Sequence, residues 1–386
     1  VLRLKRGHDR PRWHPWIFKA DVADAGDVEA GDAVTVIDAT GHLVGRGFYN
    51  PRPALCCRIL TRRDEAIDAG FLARRVADAV ARRRRDGRTQ PEVGRLVWSE
   101  ADGLPGLVAD RYGPVVVIQC LTLGMARRRR EIGAAIRAAL GDVAVFSADE
   151  AHPAELEGFA PERGWLDTPG PSRVVVAEAG VKLAVAVGIG HKTGLYLDQR
   201  ENRARVAALA RGVDVLDVFS YTAGFACHAL VAGARRATCI ESSPDAIAGA
   251  RENLALNGVA DRAALVAGNA FDELRRLERE PARFGLVVLD PPPFARGRGT
   301  VDAALRGYKE INLRAMRLLT RGGRLATFSC SHHVTEAVFE EVCRDAARDI
   351  GIELRILDRL AQASDHPVIL TIPETRYLKG LLLERV

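Results

Sequence analysis

Two hydrophobic rhythms divide this chain of 386 residues. From Val213 onward, short continuous apolar runs alternate with longer stretches whose apolar positions recur at helical spacing. The runs predict strands at 213–218, 237–241, 263–267, 285–290 and 323–330. The stretches between and after them predict helices at about 224–233, 243–257, 271–278, 302–319 and 335–349. An unbroken apolar run suits a strand covered on both faces, and regular alternation suits a right-handed, parallel, doubly wound sheet. Leu354 to Leu357 and Tyr377 to Leu383 would add edge strands.

Before Val213 the pattern is more broken. Asp32 to Asp38, Leu43 to Tyr49 and Ala54 to Leu60 are short strands punctuated by Ala39-Thr-Gly41 and Asn50-Pro-Arg-Pro53, the spacing of a compact β-barrel. Phe71 to Arg85 predicts a helix, with Leu72, Val76 and Val80 on one face and Arg82 to Arg85 as a solvated end. Asp86 to Pro91 has a linker's composition. Strands at 95–98, 107–109 and 115–120 follow, then a helix over 127–140 whose arginine-rich start is expected to be a solvated face. Val174 to Val187 predicts a hairpin turning at Ala179-Gly180. The expected division is a β domain over 1–72, a central α/β domain over 73–187, and the doubly wound domain over 188–386.

Composition narrows the class without choosing a function. The net charge of +6 mildly favours a polyanionic partner, but 50 of the 56 basic residues are arginine, a skew that a GC-rich coding sequence also produces. No run approaches the ~18–20 apolar residues of a membrane span. Val1 to Arg6 has no signal-peptide core, and seven scattered cysteines without C-x-x-C suit neither a disulfide framework nor a zinc site. The expectation is a cytoplasmic protein with no membrane association and no metal.

The chemistry concentrates at predicted strand ends. Val213 to Leu230 reads as strand, small-residue turn and helix, and the next strand ends in Glu241, 24 positions after Asp217. That places an acid where a nucleoside ribose can lie. The turn lacks G-x-G-x-x-G, which favours a nucleoside without phosphates. Gly188-Ile-Gly-His-Lys-Thr-Gly194 is not a P-loop, lacking both its spacing and its strand-to-helix context. Asp290-Pro-Pro-Pro-Phe294 caps a strongly apolar strand, and Cys330 ends the last one. Cys56, Cys57, Cys120, Cys227, Cys239 and Cys343 lie inside apolar elements and read as packing.

The succession Asp217-Val-Phe-Ser-Tyr-Thr-Ala-Gly-Phe225, Glu241, Asp290-Pro-Pro-Pro-Phe294 and Ser329-Cys-Ser331 resembles the motifs of class I (Rossmann-like) S-adenosylmethionine-dependent methyltransferases. From His14-Pro-Trp-Ile-Phe18 to Tyr377-Leu-Lys379 the chain is similar to the bacterial 23S rRNA large-subunit methyltransferase I family, which makes 5-methylcytosine. The resemblance implies one reversed edge strand and an N-terminal PUA-like, RNA-binding barrel, signalled by His14 to Phe18, Gly31-Asp32 and Gly45-Arg-Gly47. It further implies a cofactor site formed by Asp217, Phe219, Ser220, Tyr221, Thr222, Gly224, Glu241, Asn269 and Asp290, bordered by Lys192, Asp198 and Arg200. Asn269 stands where the class usually has an Asp for the adenine amine, and His191 where the family more usually has Gln.

Cytosine C5 is a poor nucleophile, so a thiolate from Cys330 adding at C6 would make an enamine able to take the methyl group. Asp290 is the second catalytic candidate, placed to hydrogen-bond N3. Pro291, Pro292 and Phe294 would face a flipped-out base. Trp16 and Phe18 are expected in the barrel core, leaving Arg3, Lys5, Arg10 and Arg12 for phosphates. His332 and His333 could shuttle a proton. Two other readings remain open: an exocyclic-amine RNA methyltransferase using Asp290 to Phe294, and a non-catalytic RNA-binding assembly factor. The expected partner is 23S rRNA or a large-subunit precursor; a homodimer is compatible with the sequence.

Overall fold

A computed structural model describes residues 1–7, 14–85, 92–188, 193–294 and 298–386. The candidates Arg10, Arg12, His191 and Lys192, and the linker 86–91, lie outside the described residues. The chain forms two compact units: Val1–Val176 with Val185–Leu195 and Ser364–Thr375, and Ala177–Ala184 with Tyr196–Ala363 and Arg376–Val386.

The first unit opens with a six-stranded sheet ordered Trp16–Phe18, Leu55–Thr61, Leu43–Tyr49, Ala33–Ile37, Leu2–Leu4, Val22–Asp24. Alternation along the strands buries Leu2, Leu4, Ile17, Val34 and Val36 together. Trp16 and Phe18 are only half-buried, contrary to the expectation that they fill the core. Ile17 takes the inward position between them, and the Trp16 indole instead donates to Glu100 Oε1 at 2.8 Å. Gly47 is required by a close approach, since a Cβ there would lie 2.1 Å from the Arg58 carbonyl.

A five-stranded sheet follows, ordered Arg163–Trp165, Ala144–Ala148, Val115–Cys120, Leu107–Tyr112, Val93–Trp98. The helices Ala69–Arg85 and Arg129–Leu140 share its core through Phe71, Val76, Ile118, Ile132 and Ile136. Each arginine run is only in part the solvated surface expected from sequence: Arg84, Arg85, Arg127 and Arg130 are exposed, while the others are partly or fully buried. Arg83 is 5% exposed and grips both oxygens of the buried Asp102. Arg127 pairs with Asp32, Arg128 stacks 4.1 Å from the Phe48 ring centroid, and Arg129 bridges Asp149 and Glu162. Arginine, with a planar fork and weak hydration, suits such internal pairing better than lysine.

The second unit carries a seven-stranded sheet. Its strands are Asp214–Val218, Arg236–Glu241, Ala263–Ala267, Phe284–Leu289, Leu319–Ser329, Leu354–Ala361 and Lys379–Arg385, in spatial order 3-2-1-4-5-7-6. Only the last runs antiparallel to its neighbours. Helices Gly224–Val231, Pro244–Leu256, Ala270–Arg279, Val301–Leu318 and Glu336–Ile350 connect the strands, within two residues of the predicted bounds. The core gathers Leu216, Val218, Leu289, Tyr308 and Phe339. The order reverses beside the first strand, so the first and fourth strands part their connections at their C-terminal ends, where an open sheet binds ligands.

Candidate active site

The turn after the first strand is held in an unusual conformation. Phe219, Tyr221 and Ala223 all have positive φ, at 62°, 49° and 59°, which for non-glycine residues costs on the order of 1–3 kcal/mol each. Surrounding hydrogen bonds fix it. Ser220 N donates to the Ile240 carbonyl at 3.1 Å and Ala223 N to the Ser220 carbonyl at 2.8 Å. The Thr222 carbonyl accepts from Asn253 Nδ2 at 2.9 Å. Glu241 receives Tyr221 N on Oε2 at 2.9 Å, and Ser242 N and Ser243 N on Oε1 at 2.7 and 2.9 Å. Its carboxylate is aimed by backbone amides.

Asp217 lies one residue before the end of the first strand, at 1% exposure. Its Oδ2 accepts from Ala226 N at 3.0 Å, while Oδ1 is buried without a hydrogen-bond partner. Burial, aided by the charges of Asp290 and Glu241, pushes its carboxyl up to about 7. Beneath the turn lies a buried network that sequence reasoning missed. Arg203 grips Glu178 at 2.7 and 2.8 Å, and His228 sits 2.8 Å from the Gly224 carbonyl and 3.2 Å from that of Glu178. Its members come from a hairpin and two helices, spaced so widely that no local pattern announces them.

The fourth and fifth strands bring Asp290 and Cys330 to one rim, with Leu289 paired to Thr327. The Cys330 thiol lies 3.9 Å from the Pro291 carbonyl. Six of the seven cysteines are buried and Cys330 alone is partly exposed. Burial pushes Cys56 up to about 11 and raises the other five buried thiols too. Asp290 Oδ1 accepts from Gln199 Nε2 at 2.9 Å, and Gln199 is itself oriented by Asn202 at 2.7 Å. Gln199 was passed over in sequence, although it lies inside Asp198-Gln-Arg200. Asp198 instead receives the Tyr377 hydroxyl at 2.6 Å, and Arg200 is buried.

Other candidates occupy distinct settings. Asn269 caps the helix Ala270–Arg279, its Oδ1 accepting from Phe271 N at 2.9 Å. Pro291 is buried and Pro292 exposed. The Phe294 ring packs among Phe219, Phe271 and Tyr308, with centroids 6.2, 5.9 and 4.7 Å away. His332 lies 5.9 Å from the Tyr377 ring, and both it and His333 are exposed. Arg3 and Lys5, in the first unit, are exposed and form no ion pair among the described residues.

The arrangement can now be set beside known proteins. Residues 159–383 match the model of an S-adenosylmethionine-dependent methyltransferase family, and residues 2–62 that of a PUA-like domain. A relative from Alteromonas mediterranea, named ribosomal RNA large subunit methyltransferase I, is 40% identical over 388 residues, covering 100% of this chain and 98% of its own. A Shewanella frigidimarina protein of the same name is 41% identical over 389 residues, with 99% and 98% covered. The chain belongs to the ribosomal RNA large-subunit methyltransferase I family. A Streptococcus mutans structure assigned as a SAM-dependent methyltransferase shares the fold at TM-score 0.84, with 18% identity and full coverage of both chains. A second solved structure, of a protein assigned as a methyltransferase and complexed with SAH, also scores 0.84 at 19% identity, covering 97% of this chain and 96% of its own.

Family members use S-adenosylmethionine, and the residues present suit that cation. Asp217, Glu241 and Asp290 are close enough that the last two raise the Asp217 pKa. The amide-aimed Glu241 carboxylate can accept from hydroxyls, and the buried Asp217 oxygen without a hydrogen-bond partner adds polar capacity, which suits a hydroxyl-bearing, positively charged nucleoside.

Proposed function

We propose that this methyltransferase acts on large-subunit ribosomal RNA in the cytoplasm and methylates cytosine at C5 through a covalent adduct with Cys330. The observation that carries this reading is the placement of Cys330: the single partly exposed cysteine, at the rim beside Asp290, where amine methylation would need no thiol. The relatives' name supports the RNA class. Among the described residues no helix is long and apolar enough to cross a membrane.

S-adenosylmethionine supplies a methyl group on a cationic sulfur. Glu241 would accept from the ribose hydroxyls, with Asp217 and the turn Phe219 to Gly224 shaping the floor and Asn269 near the adenine end. Asp198, Arg200 and Lys192 would border the site. The Cys330 thiolate adds at C6 of the cytosine with its own electron pair, and the C5–C6 π pair becomes the nucleophile at C5. After methylation the C5 proton passes to water, the C–H pair re-forms the double bond and the thiolate is expelled. Asp290, oriented by Gln199, would hold a proton towards N3 as charge develops on the ring. Pro291, Pro292 and Phe294 would shape the base site. Arg3, Lys5 and Arg12 would contact phosphates.

Mass analysis of nucleosides from treated ribosomal RNA tests the reading. It predicts 5-methylcytidine. A methyl group on an exocyclic nitrogen would replace it with the amine chemistry, and no methylation with an assembly role.

A further inference from the structure

Lys379 is the one described lysine that is buried, at 8% exposure. A buried lysine requires a reason, because its ammonium is strongly hydrated in water and rarely leaves it unpaired. Its position is fixed from both sides. It opens the reversed strand Lys379–Arg385, paired with Ser329 on one neighbour and Ala361 on the other. Gly380 locks that register, since a Cβ there would lie 2.5 Å from the Phe328 ring. From this anchor Nζ donates to the Ser331 carbonyl at 2.6 Å, one residue past Cys330. The ammonium is therefore tied to the segment that carries the thiol.

Cys330, Arg376 and Glu336 act on Lys379. Glu336 already pairs with Arg376 at 3.0 Å and approaches Arg359 at 3.7 Å, so its charge is matched elsewhere. Tyr196 and Tyr308 act with Cys330 from the neighbouring elements, and burial raises both phenols, keeping them neutral. Asp290, at the same rim, is hydrogen-bonded by Gln199, and His332 lies beside Tyr377. Burial brings the Lys379 ammonium down to about 8, which leaves it mostly charged at neutral pH.

We propose that Lys379 is a positioning residue that holds the Cys330 sulfur as a thiolate and fixes the backbone immediately after it. The inference rests on the cysteine adduct described above. The ammonium keeps its proton throughout: sulfur adds to C6 as a thiolate and leaves as the same thiolate when the C5 proton departs.

The pH dependence of iodoacetamide alkylation of Cys330, in the full chain and followed by peptide mass, tests this. The buried positions of the other six cysteines keep the signal specific. The wild-type half-point should fall about one unit or more below the ~8.5 of a free thiol. Lys379→Gln keeps an N–H for the Ser331 carbonyl but loses the charge, and should raise that half-point by about one unit, a tenfold loss of thiolate at neutral pH. Lys379→Arg should stay low. A wild-type half-point at or above ~8.5 overturns the proposal, and so does an unchanged profile in Lys379→Gln. If the Gln variant does not fold, the wild-type value decides. The adduct is read separately with 5-fluorocytosine RNA. A half-point that rises in the variant supports Lys379 even without trapping, whereas trapping with an unmoved half-point keeps the adduct and removes Lys379.

Discussion

The two ends of the rim at the strands' C-terminal ends are built from opposite materials. At the first and second strands, acids are gathered and aimed by backbone amides: Glu241 by three N–H groups, and Asp217 by one with a second oxygen left over. Burial and neighbouring carboxylates push the Asp217 carboxyl up to about 7. At the fourth and fifth strands the arrangement is inverted. Beside Asp290, a thiol lies there among phenols that burial keeps neutral, with a buried ammonium bonded to the carbonyl of the next residue, Ser331. The first end suits a cationic nucleoside, and the second would, on the proposed chemistry, hold an anionic sulfur. Transfer from sulfonium to carbon would, on that chemistry, draw on both ends, which one sheet supplies from different strand ends.

The strongest way to break the contrast is at Asp217. Its folded pKa of about 7 exceeds the ordinary 3.8, so the folded chain holds a proton there that the unfolded chain releases between those values. The associated stability is full below about pH 4 and is lost as pH rises through about 7, a change on the order of 4 kcal/mol. Asp217→Asn should flatten that loss in denaturant titrations at pH 4 and pH 8; an equally steep pH dependence would show that another group carries it. Next is Glu241→Ala, which should weaken S-adenosylmethionine binding by about 1.5–3 kcal/mol by calorimetry. Unchanged affinity in a folded variant would remove Glu241 from the ribose.

Gln199→Ala separates the two ends. It should lower kcat roughly tenfold, the scale of one hydrogen bond, while cofactor affinity moves less than about twofold. Equal losses in both would make Gln199 a general scaffold residue. The smallest effect is expected far from the chemistry in sequence. Replacing Arg3 and Lys5 with Gln should reduce the slope of log affinity against log salt by about 2. An unchanged slope would take phosphate contact away from the first strand.

The parts of this account that sequence revealed share a physical cause. A buried parallel strand writes its apolar run into consecutive positions, so Asp214–Val218 and Phe284–Leu289 were legible, and with them the acids at or just past their ends. Long-range polar pairing leaves no such trace. Arg83 looked like one more surface arginine in a run of four, because Asp102 lies 19 positions away. Gln199 and Lys379 sat within recognised motifs yet had no assigned role, because their partners Asp290 and Ser331 are 91 and 48 positions distant. Trp16 and Phe18 misled for a simpler reason: in a three-residue strand, alternation overrules size, and Ile17 took the core.

On the proposed chemistry, sulfur from Cys330 bonds to the base during turnover. Replacing C5–H with C5–F blocks the final loss of the proton, so ribosomal RNA carrying 5-fluorocytosine should become covalently attached to the enzyme in the presence of S-adenosylmethionine. Denaturing electrophoresis should show a protein–RNA species whose digest maps the bond to Cys330. Cys330→Ala should lose that species and all methyl transfer while still binding the cofactor. Substantial methylation by Cys330→Ala, or attachment through any other residue, would contradict the account.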